Sequence, residues 1–344
     1  MSDVFKGFKQ KRNKLDGVST ASAPPKHWLT TGNYVANKVI SGRYDRGYAC
    51  SRMTMVTGPS SAGKSLMAIA AAVEAQKKGY GVFIVDSEHA LDDDFMKAVG
   101  LDVDSELFMY NDVKSLAAAK KLTNMFIEEY RSNRDHLPPF VLLIDSLDQL
   151  KTKSHVEKQE RGDVHNDQGQ HAKQLKQLCS DLAHEIRDVD IFGICTKQPY
   201  KNQDLIMSKV EPYIITEAMR FPFSQILLLT NRKMRDAKTK NFEGINLKVY
   251  GYKTRFCKPF QAASIEIPYD SGINPFSGIL EVAESAGIVT KSGAWYTYDD
   301  TKFQSINAAS EETLNSILQA LIEKDEAESF YLNTGEDADE DTDD

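Results

Sequence analysis

One short stretch limits the possible fold of this chain more than any other, the eight residues from Gly58 to Ser65. Their sequence, Gly-Pro-Ser-Ser-Ala-Gly-Lys-Ser, fits GxxxxGK[ST] at every fixed position. An apolar segment of strand length, residues 53–57, precedes the motif, and an apolar helical pattern follows it. A turn of this kind between a strand and a helix binds phosphate, because its glycines let successive backbone N–H groups face one anion. The motif therefore predicts an α/β fold in which this loop leaves a core strand.

The residues of this loop have distinct predicted roles. The glycines and the helix N-terminus would hold the phosphates, Lys64 would contact the β- and γ-phosphates, and the Ser65 hydroxyl would bind Mg²⁺. The predicted nucleotide-binding residues of the loop are Gly58, Pro59, Ser60, Ser61, Ala62, Gly63, Lys64 and Ser65. Asp145 ends another apolar segment, and in a P-loop protein such an acid belongs beside the metal. The predicted ligands are ATP and Mg²⁺, and a glycine-rich turn without a ligand is the disfavoured alternative.

Apolar segments of strand length alternate with longer helical patterns between about Thr31 and Pro268. The predicted strands cover residues 53–57, 81–86, 140–145, 191–196, 226–230 and 263–267, and the predicted helices cover residues 65–78, 114–131 and 168–187. This alternation predicts an α/β P-loop core with a mostly parallel central sheet flanked by helices. The predicted division is an N-terminal basic arm and linker (1–30), the core (31–272), a small C-terminal lobe with two helical segments (273–328) and an acidic, disordered tail (329–344).

The charge of the chain is unevenly distributed. Its net charge of −8 argues at first against nucleic acid, but residues 323–344 hold 11 acids and one lysine, which leaves +2 for the rest of the chain. The first 14 residues contain a single acid and the cations Lys6, Lys9, Lys11, Arg12 and Lys14. An acidic tail on a mildly basic body can compete with phosphate for the same surface, and a purely solubilising tail is the equally weighted alternative.

Nothing in the sequence indicates a membrane protein or a secreted protein. No run of about 18 apolar residues is present, and the polar N-terminus lacks the apolar core of a signal peptide. Cys50, Cys179, Cys195 and Cys257 lie far apart and form no CxxC pair or cysteine–histidine cluster. We therefore expect an intracellular protein with buried reduced thiols and without a zinc site.

Residues 81–86 form a core-strand pattern that leads into Asp86-Ser87-Glu88-His89-Ala90-Leu91-Asp92. A carboxylate at the end of such a strand can orient water in line with the γ-phosphate, and Glu88 is so placed. A solvated loop acid is the alternative interpretation. The segment closely resembles the one that holds the catalytic glutamate in RecA recombinases. This resemblance implies a RecA-like core in which Glu88 is the base, Phe95 stacks on adenine and Asp92 lies beside the adenine edge.

Two later segments extend the resemblance over about residues 31–298. They are Ser-Gly-Ile-Asn-Pro-Phe-Ser-Gly at 271–278 and Ser-Gly-Ala-Trp-Tyr-Thr-Tyr at 292–298, and together they are most similar to the phage, UvsX-type branch of the family. Tyr269, just before the first segment, would flank the nucleotide. Gln198 takes the place of the amide that senses the γ-phosphate, although Lys197-Gln198 stands where the family has its familiar Asn-Gln pair.

Lys253-Thr254-Arg255 resembles the pair of cations that the family inserts across the subunit interface onto ATP. Cations from a neighbouring subunit can stabilise the charge that spreads over the γ-phosphate, as an arginine finger does. Exposed charges at a strand end are the alternative interpretation. The implied catalytic residues are Lys64, Glu88, Gln198, Lys253 and Arg255, and the resemblance implies that hydrolysis requires an assembled oligomer.

Two long polar segments follow predicted core strands, one from Lys151 to about Gln168 and one from Pro199 to about Met219. Both mix cations with flat or apolar side chains, a combination that binds single-stranded nucleic acid, and they coincide with the two DNA loops of the RecA family. The candidate DNA-binding residues are Lys151, Lys153, Lys158, Arg161, Tyr200, Lys201, Lys209 and Tyr213. Without the resemblance, two disordered surface loops would be the preferred interpretation.

The resemblance implies a cytoplasmic, ATP-dependent DNA strand-exchange recombinase of a bacterium or a phage-infected cell. Such a protein forms helical filaments on single-stranded DNA and pairs that strand with homologous duplex. The implied partners are single-stranded and duplex DNA, further copies of the chain, a single-strand-binding protein and a loading mediator. Two alternatives stay open at this point, because one fold supports several functions: a hexameric helicase, and an ATP-gated DNA-binding mediator without strand exchange.

Removal of residues 323–344 tests the role of the acidic tail. The truncated protein should bind duplex DNA more tightly than the full chain at low salt, because a net charge of −10 no longer competes with the phosphates. Fluorescence anisotropy on a labelled duplex at several salt concentrations measures this gain, which should shrink as salt increases. Equal affinities of the two proteins at low salt would show that the tail is inert.

Overall fold

The computed structural model describes residues 24–152, 168–204, 212–235 and 241–328, together with Phe8 and Arg12. Its strands are β1 (Trp28–Leu29), β2 (Tyr48–Ala49), β3 (Arg52–Thr57), β4 (Gly81–Asp86), β5 (Phe108–Asp112), β6 (Phe140–Asp145), β7 (Ile191–Lys197), β8 (Tyr200–Lys201), β9 (Tyr213–Ile214), β10 (Gln225–Arg235), β11 (Phe242–Thr254), β12 (Ala262–Pro268), β13 (Thr290–Ser292), β14 (Trp295–Tyr298) and β15 (Thr301–Phe303). Its α-helices are α1 (Tyr34–Ser41), α2 (Lys64–Lys77), α3 (Asp93–Val99), α4 (Leu116–Asn133), α5 (Gln168–Glu185), α6 (Glu217–Arg220), α7 (Ile279–Ser285) and α8 (Glu311–Glu328). Of the helices described, none is both long and apolar enough to cross a membrane.

Within the described residues, eight strands form the central sheet in the order β12-β11-β10-β3-β7-β6-β4-β5. The neighbouring pairs from β10 to β5 are parallel, whereas β11 pairs antiparallel with both β10 and β12. The prediction of a mostly parallel central sheet is therefore confirmed. In such a sheet the carboxyl ends of the parallel strands meet at one edge, and ligands bind in the crevice outside it. We call this edge, where β3, β4, β6 and β7 end, the carboxyl edge.

Helices cover both faces of the sheet, so the central strands are buried on both sides. In β3, Val56 packs with α1 and α2 on one face, whereas Met55 packs with α4 and α5 on the other. Ile84 and Val85 of β4 divide between the two faces in the same way. A strand that is buried on both faces has no polar side to alternate with its apolar one. For this reason the central strands appear in the sequence as continuous apolar runs.

The predicted elements match the structure closely in the centre of the sheet. β4 and β6 have the predicted bounds. β3 and β7 each extend one residue beyond one predicted end, and β12 extends one residue beyond both. The ends of α2, α4 and α5 lie within two residues of the predicted ones. Sequence reasoning missed β5, which lies at the edge of the sheet and is partly exposed, and β11, whose apolar pattern is interrupted by polar residues and glycine. It also stopped β10 at residue 230, although the strand continues to Arg235.

The C-terminal lobe contains α7, the antiparallel sheet β13-β14-β15 and α8. Its two helices agree with the predicted helical segments, whereas the small sheet was not predicted. Ile279, Leu280 and Ile317 of the lobe form a hydrophobic cluster with Val35 and Tyr44, which belong to α1 and the turn after it. This packing joins the lobe to the first helix of the core. The division of the chain into domains drawn from the sequence stays a prediction.

All four cysteines are free thiols. Cys50, Cys179 and Cys195 are buried, and Cys257 is half-buried. Burial raises the pKa of Cys50 and of Cys179 to about 12, so both thiols stay protonated at neutral pH. The expectation of buried, reduced thiols therefore holds in full for three of the four.

A buried glutamine ties the start of β10 to the beginning of the core. Gln225 has no exposed surface, and its side chain makes four hydrogen bonds. Its Oε1 accepts from the backbone N–H of Ala49 and from the hydroxyl of Thr54, both at 3.0 Å. Its Nε2 donates to the carbonyl oxygens of Ile40, at 3.1 Å, and Gly47, at 2.9 Å. One side chain thus satisfies buried polar groups of α1, β2, β3 and the loop before β2.

Replacing Gln225 by leucine should destabilise the fold, because its partner groups stay buried without their hydrogen bonds. We expect the free energy of unfolding, measured by urea denaturation, to fall by about 2–4 kcal/mol. Gln319→Leu, at an exposed position of α8, is the matched control and should change it by less than about 0.5 kcal/mol. Equal stability of Gln225→Leu and the wild type would contradict the role assigned to this network.

Candidate nucleotide and DNA site

The loop from Gly58 to Ser65 lies at the carboxyl edge, between β3 and α2. A side chain is excluded at Gly58, because a Cβ atom there would lie 2.5 Å from the carbonyl oxygen of Leu229 in β10. Gly63 caps α2 with a φ of 89°, a left-handed conformation that strains other residues. These two glycines let the chain turn tightly into the helix. The unpaired N–H groups of the first turn of α2 are therefore presented at this edge, as an anion site requires.

Lys64 begins α2 and is surrounded by acids. Its Nζ donates hydrogen bonds to the carbonyl oxygens of Gly58, at 3.0 Å, and Pro59, at 2.9 Å. Burial lowers the pKa of Lys64, and the negative charge of three nearby carboxylates opposes this shift. These carboxylates belong to Glu88, Asp145 and Asp148. Phosphate oxygens at this position would exchange neutral acceptors for anionic ones and would favour the charged lysine.

Asp145 ends β6 and is buried. Its Oδ1 accepts a hydrogen bond from the Thr196 hydroxyl, whereas its buried Oδ2 has no hydrogen-bond partner among the described residues. Burial raises the pKa of this carboxyl group, Thr196 and Ser65 lower it, and the charges of Glu88 and Asp86 raise it further. A buried carboxylate oxygen without a donor, close to a serine hydroxyl and to other acids, fits a hard divalent cation.

These residues fit Mg²⁺ as part of a nucleotide complex rather than in a cage made by the protein alone. Within the part of the chain that the structure describes, no group of three or more His, Cys, Asp or Glu side chains could hold a metal ion. Mg²⁺ usually keeps several waters and binds one or two protein ligands together with substrate phosphates. Ser65 and Asp145 would supply those two protein ligands.

Glu88 lies on an exposed turn directly after β4, at the carboxyl edge. Its charge shifts the pKa values of both Lys64 and Asp145, so the fold brings these three groups together. The buried Asp86 at the end of β4 holds the turn by accepting hydrogen bonds from the backbone N–H groups of Glu88, at 2.9 Å, and His89, at 3.0 Å. Sequence reasoning did not assign a role to Asp86, although an acid at the end of an apolar strand was a usable signal.

The residues expected beside adenine follow the Glu88 turn or lie across the same edge. Asp92 caps α3, because its Oδ1 accepts from the backbone N–H of Phe95 at 2.7 Å. The Phe95 ring is half-buried and packs against the core on the α2 face. Tyr269 follows β12 and is 66% exposed. Both aromatic rings therefore keep surface on which a base could stack.

Gln198 is exposed immediately after β7. Its backbone N–H donates to Oδ2 of Asp148 at 2.5 Å, and Oδ1 of Asp148 accepts from the ammonium of the buried Lys197. The lysine that departs from the family pattern is thus neutralised by an acid from the chain after β6. Sequence reasoning missed Asp148, which connects the start of the first candidate DNA segment to the start of the second. The negative charge of Asp148 also raises the pKa of Lys64.

Lys253 and Arg255 lie at the edge of the sheet opposite the P-loop. β11 runs antiparallel to β10, and its last residue, Thr254, pairs with Gln225, the first residue of β10. β10 in turn runs parallel to β3, and its first residue, Gln225, pairs with Thr54. The end of β11 therefore lies where β10 begins, away from the carboxyl edge. The two cations are therefore directed away from the P-loop of their own chain. A contact between them and ATP requires a second copy.

A cleft of about 880 Å³ opens beside Lys253. Its walls combine cations and aromatic rings, among them Tyr213, Arg220, Phe221, Lys248, Tyr250 and Phe260. The Lys253 ammonium donates to the carbonyl oxygen of Arg220 at 2.5 Å. Burial lowers the pKa of Lys253 to about 8, and the positive charges of Arg255 and Arg220 add to this shift. An anion placed here would stabilise the charged form of Lys253.

The described residues of the two candidate DNA segments are anchored by backbone pairing. Lys151 forms a β-bridge with Ser115 at the base of the first segment. In the second segment β8 and β9 form a two-stranded ribbon, in which Lys201 pairs with Tyr213 and Tyr200 is the next residue along. The ribbon thus brings three of the predicted residues together. The other predicted residues lie outside the described part of the chain: Lys153, Lys158, Arg161 and Lys209.

The hairpin of β10 and β11 carries further cations past the P-loop. Lys233 and Arg235 are exposed on the part of β10 that extends beyond its pairing with β3. Both lie over the ring of Phe242, 4.7 Å and 4.5 Å from its centroid. Asn231 donates from Nδ2 to the carbonyl oxygen of Ser61 at 2.6 Å, which fixes the hairpin to the loop. Sequence reasoning missed this cluster because it ended the strand too early.

Family models match nearly the whole of the described core. The model of the RecA N-terminal domain matches residues 27–274, and the model of the RecA C-terminal domain matches residues 277–305. The chain belongs to the RecA family. Relatives named Protein RecA include that of Clostridioides difficile (strain 630), 27% identical over 296 residues (86% of this chain and 81% of the relative). That of Pseudomonas putida is 29% identical over 280 residues (81% of this chain and 75% of the relative). That of Halalkalibacterium halodurans is 29% identical over 258 residues (74% of this chain and 70% of the relative).

Membership of the RecA family confirms the predicted fold class and the predicted activity. The chain is a RecA-type DNA recombinase and repair protein, and it is a DNA-dependent ATPase. The hexameric helicase and the mediator without strand exchange are accordingly not favoured. The similarity to the phage, UvsX-type branch stays a prediction, as do the roles of individual residues.

The lowered pKa of Lys253 gives a testable pH dependence. Because this pKa falls from an ordinary 10.5 to about 8 on folding, the unfolded chain binds a proton between these pH values that the folded chain lacks. The stability of the wild type relative to Lys253→Met should therefore rise as pH increases from about 8 towards 10. Urea denaturation of both proteins across this range measures the difference.

Lys253→Arg is the matched control for this measurement. Arginine keeps its charge throughout the range, so the stability difference between Lys253→Arg and Lys253→Met should stay constant. If the difference between the wild type and Lys253→Met were equally flat, Lys253 would not lie in the positive, partly buried environment described above.

Proposed function

We propose that this chain hydrolyses ATP between adjacent subunits of a filament on single-stranded DNA, and that the nucleotide controls exchange of that strand with a homologous duplex. DNA binding and self-assembly follow from membership of the RecA family, whose members use ATP and Mg²⁺.

The placement of two half-sites at opposite edges of one sheet carries the proposal. The P-loop, Glu88 and Asp145 lie at the carboxyl edge, whereas Lys253 and Arg255 lie at the other edge. A single copy cannot bring these edges together, but the carboxyl edge of one copy can meet the opposite edge of the next. Such a head-to-tail contact forms a helical filament unless its rotation closes a ring. ATP between the subunits would then strengthen the contact.

Binding of the nucleotide uses groups from a single subunit. Lys64 and the backbone N–H groups of the P-loop hold the β- and γ-phosphates. Ser65 and Asp145 hold Mg²⁺, which when bound neutralises charge on the phosphates. Phe95 and Tyr269 provide the aromatic surface for adenine, with Asp92 beside it.

Hydrolysis uses groups from both subunits. Glu88 accepts a proton from the water that attacks the γ-phosphorus, and the bond between that phosphorus and the bridging oxygen of ADP breaks. Lys253 and Arg255 of the neighbouring copy stabilise the negative charge that spreads over the transferred group. Turnover then depends on filament assembly, because a free subunit lacks these two cations at its own nucleotide.

Gln198 connects the nucleotide to DNA in this proposal. It lies two residues before Tyr200, the first residue of the β8–β9 ribbon. The ammonium of the preceding residue, Lys197, lies 5.6 Å from the ring centroid of Tyr200. A movement of Gln198 on contact with the γ-phosphate would shift Tyr200, Lys201 and Tyr213, which supply rings for bases and a cation for phosphates. Lys151 would add a phosphate contact from the first segment. A single-strand-binding protein and a loading mediator are the proposed accessory partners.

Glu88→Gln tests the proposed base. The variant should bind ATP and form filaments on single-stranded DNA, but its DNA-dependent ATP turnover should fall by about 100-fold or more, because no carboxylate accepts the proton. Phosphate release at saturating DNA measures turnover, and anisotropy of labelled DNA measures filament formation. Glu106→Gln, at an exposed position before β5, is the control and should retain the wild-type rate. Normal turnover in Glu88→Gln would remove Glu88 from this role.

A strand-pairing assay tests the function as a whole. Joint molecules should form between single-stranded DNA and homologous duplex in the presence of ATP, and should be absent with heterologous duplex or without ATP. Unwinding of a forked duplex without joint molecules would instead favour a helicase. Coating of DNA without either product would favour a mediator.

A further inference from the structure

Two side chains of the edge strand β5 contact the turn that carries Glu88, one before Glu88 in the chain and one after it. On one side the hydroxyl of Tyr110 donates to Oδ2 of Asp86 at 2.8 Å. On the other side Nε2 of His89 lies 3.2 Å from Oδ1 of Asp112. Asp86 lies two residues before Glu88 and His89 lies one residue after it. The two contacts therefore bracket the proposed base.

Asp86 is the centre of this arrangement. Its side chain has no exposed surface, and its carboxylate accepts four hydrogen bonds from the turn and from β5. The donors are the backbone N–H groups of Glu88, at 2.9 Å, His89, at 3.0 Å, and Leu91, at 3.3 Å, and the hydroxyl of Tyr110, at 2.8 Å. Hydrogen bonds to an ionised acceptor are stronger than neutral ones, so this carboxylate fixes the path of the turn.

Tyr110 is the only one of these donors that comes from another element of the described fold. Burial and the hydrogen bond to Asp86 raise the pKa of Tyr110, so its hydroxyl remains a donor at neutral pH. The exposed fraction of Tyr110 is 39%, and the residue is not part of the main hydrophobic clusters. Its hydroxyl therefore has a more specific use than packing, namely to orient the Asp86 carboxylate from the side of β5.

The turn needs such support because its backbone is strained. His89 has a φ of 55°, in the left-handed region that side-chain-bearing residues rarely adopt. A shift of the turn would move the Glu88 carboxylate relative to Lys64, which lies on α2, and relative to Asp145, which lies on β6. A misplacement of about 1 Å can lower a rate by about 100-fold, even when it arises away from the reacting atoms.

We infer that Asp86 and Tyr110 are positioning residues for ATP hydrolysis, and that their hydrogen bond holds the Glu88 turn in the geometry in which Glu88 accepts the proton. This inference rests on the proposed role of Glu88. Neither residue belongs to the P-loop or to the residues proposed at adenine. Their loss should therefore change the rate of hydrolysis of bound ATP and leave the binding of ATP in place.

Tyr110→Phe is the sharpest test, because it removes only the hydroxyl of a partly exposed side chain and leaves the ring in place. With saturating single-stranded DNA, kcat for ATP should fall by about 3–10-fold while KM for ATP changes by less than about twofold. Tyr298→Phe, in the C-terminal lobe, is the matched control and should leave both constants unchanged. A wild-type kcat in Tyr110→Phe, or equal relative changes in kcat and in KM, would overturn the inference.

Asp86→Asn provides a second test of the same hydrogen bond. The amide keeps the shape of the side chain but cannot accept all four bonds, so kcat should fall by at least about tenfold, with filament formation on a non-hydrolysable ATP analogue retained. The double variant should lose about as much as Asp86→Asn alone, because Tyr110 acts through Asp86. Losses that multiply would mean that the two residues act independently, contrary to the inference.

Glu88→Gln measured in the same assay distinguishes failure of the proposed base from failure of the positioning inference. If Glu88→Gln turns over ATP at the wild-type rate, the proposed base is wrong and the positioning inference falls with it. If Glu88→Gln is inactive while Tyr110→Phe and Asp86→Asn keep the wild-type kcat, the base stands and only the positioning inference fails.

Discussion

The parallel register of β3, β4, β6 and β7 is the constraint on which the candidate site depends. Because these strands run in one direction, the residues that follow their last hydrogen-bonded pairs meet at one edge, although they are far apart in the chain. Gly58, Glu88, Asp145 and Gln198 all leave the sheet at this edge. The ladder hydrogen bonds of the sheet, rather than contacts among these side chains, therefore set their arrangement.

The electrostatics of the carboxyl edge follow from that arrangement. Three carboxylates lie near Lys64. Burial lowers the pKa of Lys64 and raises the pKa of Asp145, so it favours the neutral form of each group. A polyanion that arrives with a divalent cation would relieve both effects, because its phosphates favour charged lysine and the cation favours charged aspartate. A pocket with this charge pattern is suited to a magnesium nucleotide and poorly suited to an apolar ligand.

The antiparallel strand β11 gives the sheet a second candidate functional edge. Since it reverses direction beside β10, it delivers Lys253 and Arg255 to the edge opposite the P-loop. Burial lowers the pKa of Lys253, and the positive charges of Arg255 and Arg220 lower it further. An anion that approaches these cations would favour the charged form of Lys253. The free subunit thus carries complementary groups on opposite sides, which is the property that a filament-forming protein requires.

The sequence by itself determined the P-loop, the central strands and the acid at the end of β6, because a phosphate-binding turn and doubly buried strands each leave a local pattern. The resemblance to the RecA family added Glu88 and the paired cations at Lys253 and Arg255. Only the tertiary structure revealed the contacts of Asp148 with Lys197 and of Tyr110 with Asp86. Each of these contacts joins residues that are far apart in the chain: Asp148 follows β6 and Lys197 ends β7, whereas Tyr110 lies on β5 and Asp86 ends β4. Their partnership is decided by strand order and register, which no local stretch of sequence encodes.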